Sequence, residues 1–283
     1  MRYDPEHQSS DVEDRRGQTA VGGSGLGLVI RLLLRTRYGW IVVLLIIGFV
    51  VVRQLGFLGG HATTGAGGGA NLAAGDTDAH FVAFVLDDAQ SFWDQELPRQ
   101  GTAYRHATLV LFTDSTPTRC GTGDAAAGPF YCPSDEHVYI DLGFFGVLSR
   151  QLGAGGQFAR AYVIAHELGH HVQKVLGISD HEGKSHATGA SGGSVRLELQ
   201  ADCYAGIWAR SANARNLLEA GDLESALNAA SRIGDDTLQK EERGRVRPET
   251  FTHGTAEQRH RWLKRGYDSG ALKDCDTFAA AAL

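Results

Sequence analysis

The stretch His166-Glu167-Leu168-Gly169-His170 decides how this chain folds. Two residues four apart on a helix lie about one turn above each other, on one face. Neutral imidazoles placed so can both reach one Zn²⁺. Glu167, beside the first of them, lies near enough to take a proton from water at that ion. Such a pattern arises by chance in a chain of this length on the order of one per cent of the time. The motif therefore needs a third ligand before it carries a reading.

Catalytic zinc takes three protein ligands and keeps a fourth position for water. A third histidine ten positions after His166 is ruled out, because that position is Leu176, and Gln173 stands where such a motif needs glycine. His171 points about 100° around the helix from His170 and reads as a flanking residue. The better candidate lies in Leu197–Ala205 (LELQADCYA). Val195, Leu199, Tyr204, Ile207 and Trp208 give that region the apolar spacing of a second helix. Glu198 and Asp202 share one of its faces, and a carboxylate pair on an apolar helix is costly to bury without partners. Glu198 as a ligand, with Asp202 holding a ligand histidine by its other ring N–H, supplies those partners. The plainer alternative is a solvated polar stripe.

Four blocks in order carry a resemblance: GPFYCPSDEHVYID (Gly128–Asp141), HELGHHVQ (His166–Gln173), ELQADCYA (Glu198–Ala205) and THGTAEQRHRWLKRG (Thr252–Gly266). Together they resemble the bacterial "putative neutral zinc metallopeptidase" family, membrane-anchored proteins assigned as peptidases from the motif. The resemblance covers roughly the last two-thirds of the chain and the position of an N-terminal anchor. More distantly, HELGHH followed by an ExxAD helix resembles the gluzincin metalloproteases, including the integral-membrane prenyl-protein proteases. It implies one catalytic Zn²⁺ held by His166, His170 and Glu198, with Glu167 as general base and Asp202 behind a ligand. It also implies a zincin-like α+β domain, mostly helical, in which a strand within Gly128–Asp141 borders the cleft and pairs with extended substrate. Pro129 and Pro133 suit such an edge.

The composition agrees with one sizeable core: 283 residues, 42% hydrophobic. A net charge of −6 and a pI near 6.0 argue against a nucleic-acid surface. Residues 1–37 are polar and Gly-rich, with Arg2, Arg15, Arg16, Arg31, Arg35 and Arg37, and read as a disordered cytoplasmic tail. Gly39–Val52 (GWIVVLLIIGFVVV) is uncharged but rises only about 21 Å as a helix, against a hydrocarbon core about 30 Å thick. Extended through Leu55, Phe57 and Leu58, with Arg53 snorkelling, it becomes an anchor over 38–58. A signal-peptide apolar region is the alternative, disfavoured by Arg53 and the long leading segment. The preceding arginines would place the N-terminus inside and the C-terminal domain outside the cytoplasm, as a single-pass membrane protein. Residues 59–78 read as a Gly-rich tether, leaving 79–283 as the catalytic domain.

Four cysteines, with no CxxC, fit an oxidising compartment. Of three connectivities, Cys120–Cys132 closes a short Gly/Ala-rich loop and leaves Cys203–Cys275 to pin the C-terminus on the Glu198 helix. Reduced buried thiols remain the alternative.

Along the domain, periodicity gives helices at Phe81–Trp93, Phe144–Leu152 and Phe158–Val175, the last ended by Gly177. Strands are expected at Thr108–Phe112 and from Val138 to Ile140. Asp222 reads as the cap of a helix through Ala226–Ile233, and Asp235-Asp236 as the cap of the next, with a catalytic role as the pair's other reading. Thr255–Gln258 is a capping box. His181 and His186 lie in a polar loop and read as non-ligands. His253, in a Thr-His-Gly turn, is a candidate donor to the oxyanion of a tetrahedral peptide carbonyl, with holding the turn as its other reading. The leading function is a membrane-anchored zinc endopeptidase acting on a peptide or protein. The rival is a non-catalytic zinc-binding or assembly protein of the envelope, which would need the ligands but not the base Glu167.

Overall fold

The computed structural model describes residues 1–18, 71–181 and 187–283. The expected anchor at 38–58, the tether up to residue 70 and His186 lie outside them. Among the described residues no helix is long and apolar enough to cross a membrane.

The fold is mostly helical with a small mixed sheet. Strands β1 (Val12–Asp14), β2 (Thr108–Leu111), β5 (Phe130–Cys132) and β6 (His137–Ile140) form one sheet in the order β1-β2-β6-β5. β1, β2 and β6 run parallel, whereas β5 is antiparallel to β6 and occupies an edge. A separate hairpin pairs β3 (Ser115–Thr118) with β4 (Gly121–Asp124).

Around the sheet stand α1 (Thr77–Arg99), α2 (Phe144–Arg150), α3 (Gln157–Val175), α4 (Ile178–His181), α5 (Gly193–Ala214), α6 (Asp222–Arg232), α7 (Asp235–Arg243) and α8 (Ala256–Ser269). α1 outruns the apolar pattern at both ends; Asp76 caps its start, accepting from the Ala79 N–H. Thr255 and Gln258 complete the capping box at the start of α8. Asp222 does not cap α6. It is the first helical residue, and its carboxylate accepts from the Glu219 N–H while Gly221 turns the chain in the left-handed region.

The first eighteen residues correct the expectation of a disordered tail. Val12 is buried, the Asp11 carbonyl accepts from the Leu109 N–H at 2.8 Å, and Arg15 N–H donates to Leu111 at 2.8 Å. Arg16 bridges Asp14 and Asp76, and His7 and Ser9 both reach Asp87 on α1. The tether also ends sooner than expected, since Leu72 is buried in the core and α1 begins at Thr77. One compact body thus contains residues 1–18 as well as 71–283.

Glycines let the central helices meet closely. A Cβ on Gly169 of α3 would sit 2.8 Å from the Ala201 carbonyl oxygen of α5. Where α5 meets α8, a Cβ on Gly266 would collide with the Cys203 backbone. Phe158 of α3 stacks on Trp208 of α5, with ring centroids 5.6 Å apart, and both are fully buried. Cys120 is bonded to Cys132, and Cys203 to Cys275. The first bond ties the β4 region to β5, and the second ties the C-terminal segment to α5.

Gly266→Ala should cost about 1–3 kcal/mol, the usual cost of overpacking. Thermal unfolding of the two proteins measures it; an unchanged melting temperature would mean that the helices can separate freely.

Candidate active site

α3 carries His166, Glu167 and His170; α5, packed on it at Gly169 and Ala201, carries Glu198 and Asp202. That crossing brings the two helical motifs together. His166 Nε2 lies 3.1 Å from Glu198 Oε2, and His170 Nε2 lies 3.3 Å from Glu198 Oε1. All three donor atoms fall within 4.8 Å of one another, the cluster suited to a metal among the described residues.

The far side of each imidazole is also held. His166 Nδ1 sits 2.8 Å from Asp202 Oδ1, and His170 Nδ1 sits 2.9 Å from Gln173 Oε1. Gln173 in turn donates to the Leu197 carbonyl and to Gln200. With each Nδ1–H donating outward, both Nε2 lone pairs face Glu198. Two imidazole nitrogens and a carboxylate oxygen, with tautomers fixed from behind, form a donor set that fits catalytic zinc.

The electrostatics say the same. Burial opposes charge on His166, but Asp202 and Glu198 outweigh it and raise its pKa to about 10. Burial opposes charge on Glu198 as well, and the two histidines hold its pKa well below the carboxylate range. The cluster calls for positive charge at its centre, which protons or a divalent cation can supply.

Asp202 is fully buried and stays ionised: burial pushes its pKa up, while Arg259 and His166 bring it down to about 2. Arg259 grips it with two N–H groups, at 2.9 and 3.0 Å, and the Tyr162 hydroxyl donates to Oδ1 at 2.6 Å. Neither Arg259 nor Tyr162 was singled out from the sequence, nor was Gln173 as a partner of His170. Signals existed. Arg259 lies on the apolar face of α8, three and four positions before the buried Trp262 and Leu263, and Tyr162 is one turn before His166.

Glu167 lines a cavity of about 330 Å³ together with His166, Glu198 and His253. Much of the remaining wall is apolar, with Phe130, Phe144, Leu152, Val163, Ile233 and Leu238, while Tyr131, Tyr162 and Arg259 add polar groups. Phe130 and Tyr131 belong to the edge strand β5, so that strand borders the cavity.

His253 is placed by the aspartates that the sequence reading assigned to capping α7. Asp235 Oδ2 accepts from the N–H groups of Thr252, His253 and Gly254 at 2.7, 2.7 and 3.0 Å, and Asp236 accepts from Ala256 N–H. The pair thus secures the turn ahead of α8. Asp235 also faces His253 Nδ1 at 3.3 Å, and this contact raises the histidine's pKa. His171 points away from the metal cluster. It donates from Nε2 to the Arg105 carbonyl and accepts at Nδ1 from Tyr131, so it holds β5 in position.

A HExxH helix crossed by a glutamate-bearing helix defines the zinc-metallopeptidase class of site. The chain belongs to the family described as "Putative neutral zinc metallopeptidase", whose model matches residues 1–278. It is 42% identical to the "Uncharacterized protein YpfJ" of Escherichia coli K12, over 98% of this chain and 99% of that one. It is 43% identical to the "Uncharacterized protein Mb2605" of Mycobacterium bovis, over 71% of each chain. No solved structure matches.

Glu198→Ala should remove most bound zinc, measured by metal analysis of purified protein, and Asp202→Asn should weaken zinc roughly 10–100-fold without abolishing it. Stoichiometric metal in Glu198→Ala would move the third ligand elsewhere. Arg259→Leu should destabilise the fold by about 3–5 kcal/mol, because it strands a buried carboxylate. Unfolding in urea tests this, and a loss below about 1 kcal/mol would mean Asp202 finds another partner.

Proposed function

We propose that the protein is a zinc-dependent endopeptidase. The observation that carries this reading is Glu167, directly beside the His166–His170–Glu198 cluster and lining the same cavity. A scaffold would need the three ligands but has no use for a carboxylate there. Zn²⁺ bound by these residues would acidify water and polarise a peptide carbonyl.

The residues of the chain then divide the work. Glu167 takes the proton from the attacking water and returns it to the leaving nitrogen. His253, whose pKa Asp235 raises, donates to the oxygen of the carbonyl as it becomes tetrahedral. Asp202 and Gln173 hold the two imidazoles in one orientation, and Arg259 holds Asp202. An extended peptide adds to the free edge of β5, as strands add to sheet edges elsewhere. The apolar wall of the cavity supports a preference for a bulky apolar side chain beside the cleaved bond. Two disulfides support a catalytic body outside the cytoplasm, and the Gly39–Val52 run supports attachment to the membrane.

Glu167→Gln should lower peptide hydrolysis by at least about 10²-fold while zinc content and melting temperature stay at wild-type values. Equal cleavage by both proteins would assign the base elsewhere. If both bind zinc and neither cleaves any peptide in a broad library, the scaffold reading replaces this one. In the same library, cleavage sites should be enriched for Leu, Phe or Met on one side of the bond, and Val163→Trp should narrow that preference to smaller residues. Sites flanked evenly by charged and apolar residues would show that the cavity does not select.

A further inference from the structure

One wall of the cavity beside the metal cluster is a loop closed by a disulfide. Ala127, Gly128, Pro129, Phe130 and Tyr131 all line that cavity. All five lie between Cys120 and Cys132, which are bonded to each other. The candidate ligands and base come from elsewhere, on α3 and α5.

This wall buries little of its own. From Gly121 to Tyr131 the one buried residue is Gly123, which has no side chain to pack. The Phe130 ring lies where a Cβ on Gly123 would stand. β5 has further ties, since Phe130 stacks on Tyr139 and Tyr131 donates to His171. Between β4 and β5 the chain makes a single 3₁₀ turn at Ala125–Ala127, none of it buried. Gly128 follows with a positive φ of 84°. A segment with so few apolar contacts owes its order to covalent closure more than to packing.

The two disulfides differ in access. Cys203 and Cys275 are both completely buried, and so is Cys132. Cys120 is exposed, next to the exposed Arg119. A thiolate arriving from solvent therefore meets Cys120 first, and the bond it can open is the one that closes the wall.

We propose that Cys120–Cys132 is a redox latch on the cavity wall: a thiol reductant opens it, the wall loosens, and peptide binds more weakly. The clause about peptide rests on the peptidase reading, whereas the latch itself does not. A reductant thiolate attacks Cys120 Sγ, the bond to Cys132 breaks, and Cys132 departs as a thiolate that takes up a proton. A second reductant thiolate attacks the reductant sulfur of the mixed disulfide and releases Cys120, which is protonated in turn. Two reductant thiols are thus oxidised to one disulfide while the protein's disulfide becomes two thiols. Arg119 beside Cys120 favours the departing thiolate.

The test uses full-length, zinc-loaded protein equilibrated with reduced glutathione, then alkylated and mapped by mass spectrometry. Cys120 and Cys132 should be modified while Cys203 and Cys275 stay bonded. Amide hydrogen exchange across residues 121–131 should quicken at least about tenfold, with α3 and α5 unchanged. For a cleaved peptide, KM should rise about tenfold and kcat stay within about twofold, and oxidised glutathione should restore the starting values. Protein carrying both Cys120→Ser and Cys132→Ala should show the reduced behaviour without reductant and keep its zinc. Equal modification of all four cysteines, resistance of all four, loss of zinc from the double variant, or unchanged exchange over 121–131 would overturn the latch. Faster exchange with an unaltered KM would overturn its part in peptide binding. If neither redox state cleaves any peptide, the peptidase reading and the clause resting on it fail, while the exchange data still decide the latch.

Discussion

Asp202 is a carboxylate without solvent contact, and three helices depend on its being satisfied. It receives His166 and Tyr162 from α3 and Arg259 from α8, while its own backbone belongs to α5. A buried charge is tolerated only when it is paired and hydrogen-bonded. These contacts therefore fix the mutual placement of the helices and the rotation of His166 at once. The glycines at the α3–α5 and α5–α8 crossings make the approach possible, and the Cys203–Cys275 bond closes the far side of α5. A buried ion pair gives little net stability compared with an apolar replacement. Its retention here makes sense as orientation of the site rather than as stability.

The same economy appears around the cavity. Asp235 binds three consecutive N–H groups in the His253 turn and faces the ring as well, so one side chain sets both the turn and the charge state of a candidate donor. His171 faces the sheet and fixes Tyr131, linking the metal helix to the edge strand that borders the cavity. One helix thus presents the candidate metal ligands on one face and a strut for the edge strand that borders the cavity on another.

How much of this the sequence discloses follows from the range of each interaction. His166, Glu167 and His170 are readable because a single helix sets their geometry. Glu198 and Asp202 are readable because two carboxylates on an apolar face need partners. Arg259 escapes that logic in practice: its partner lies 57 positions away, and an arginine near a helix start reads as solvated. Asp235 was assigned to the nearest helix end, yet its hydrogen bonds go 17 to 19 positions along the chain. β1 left almost no trace, since a three-residue strand with one buried valine has no periodicity and owes its existence to pairing with residues far along the sequence.

The geometry between α3 and α5 implies a metal held by two imidazoles and one carboxylate. X-ray absorption at the zinc edge of the purified protein tests it most directly. The expected spectrum shows nitrogen and oxygen neighbours only, at about 2.0–2.2 Å, including two imidazoles. A sulfur neighbour at about 2.3 Å, or a third imidazole in place of the carboxylate, would contradict it.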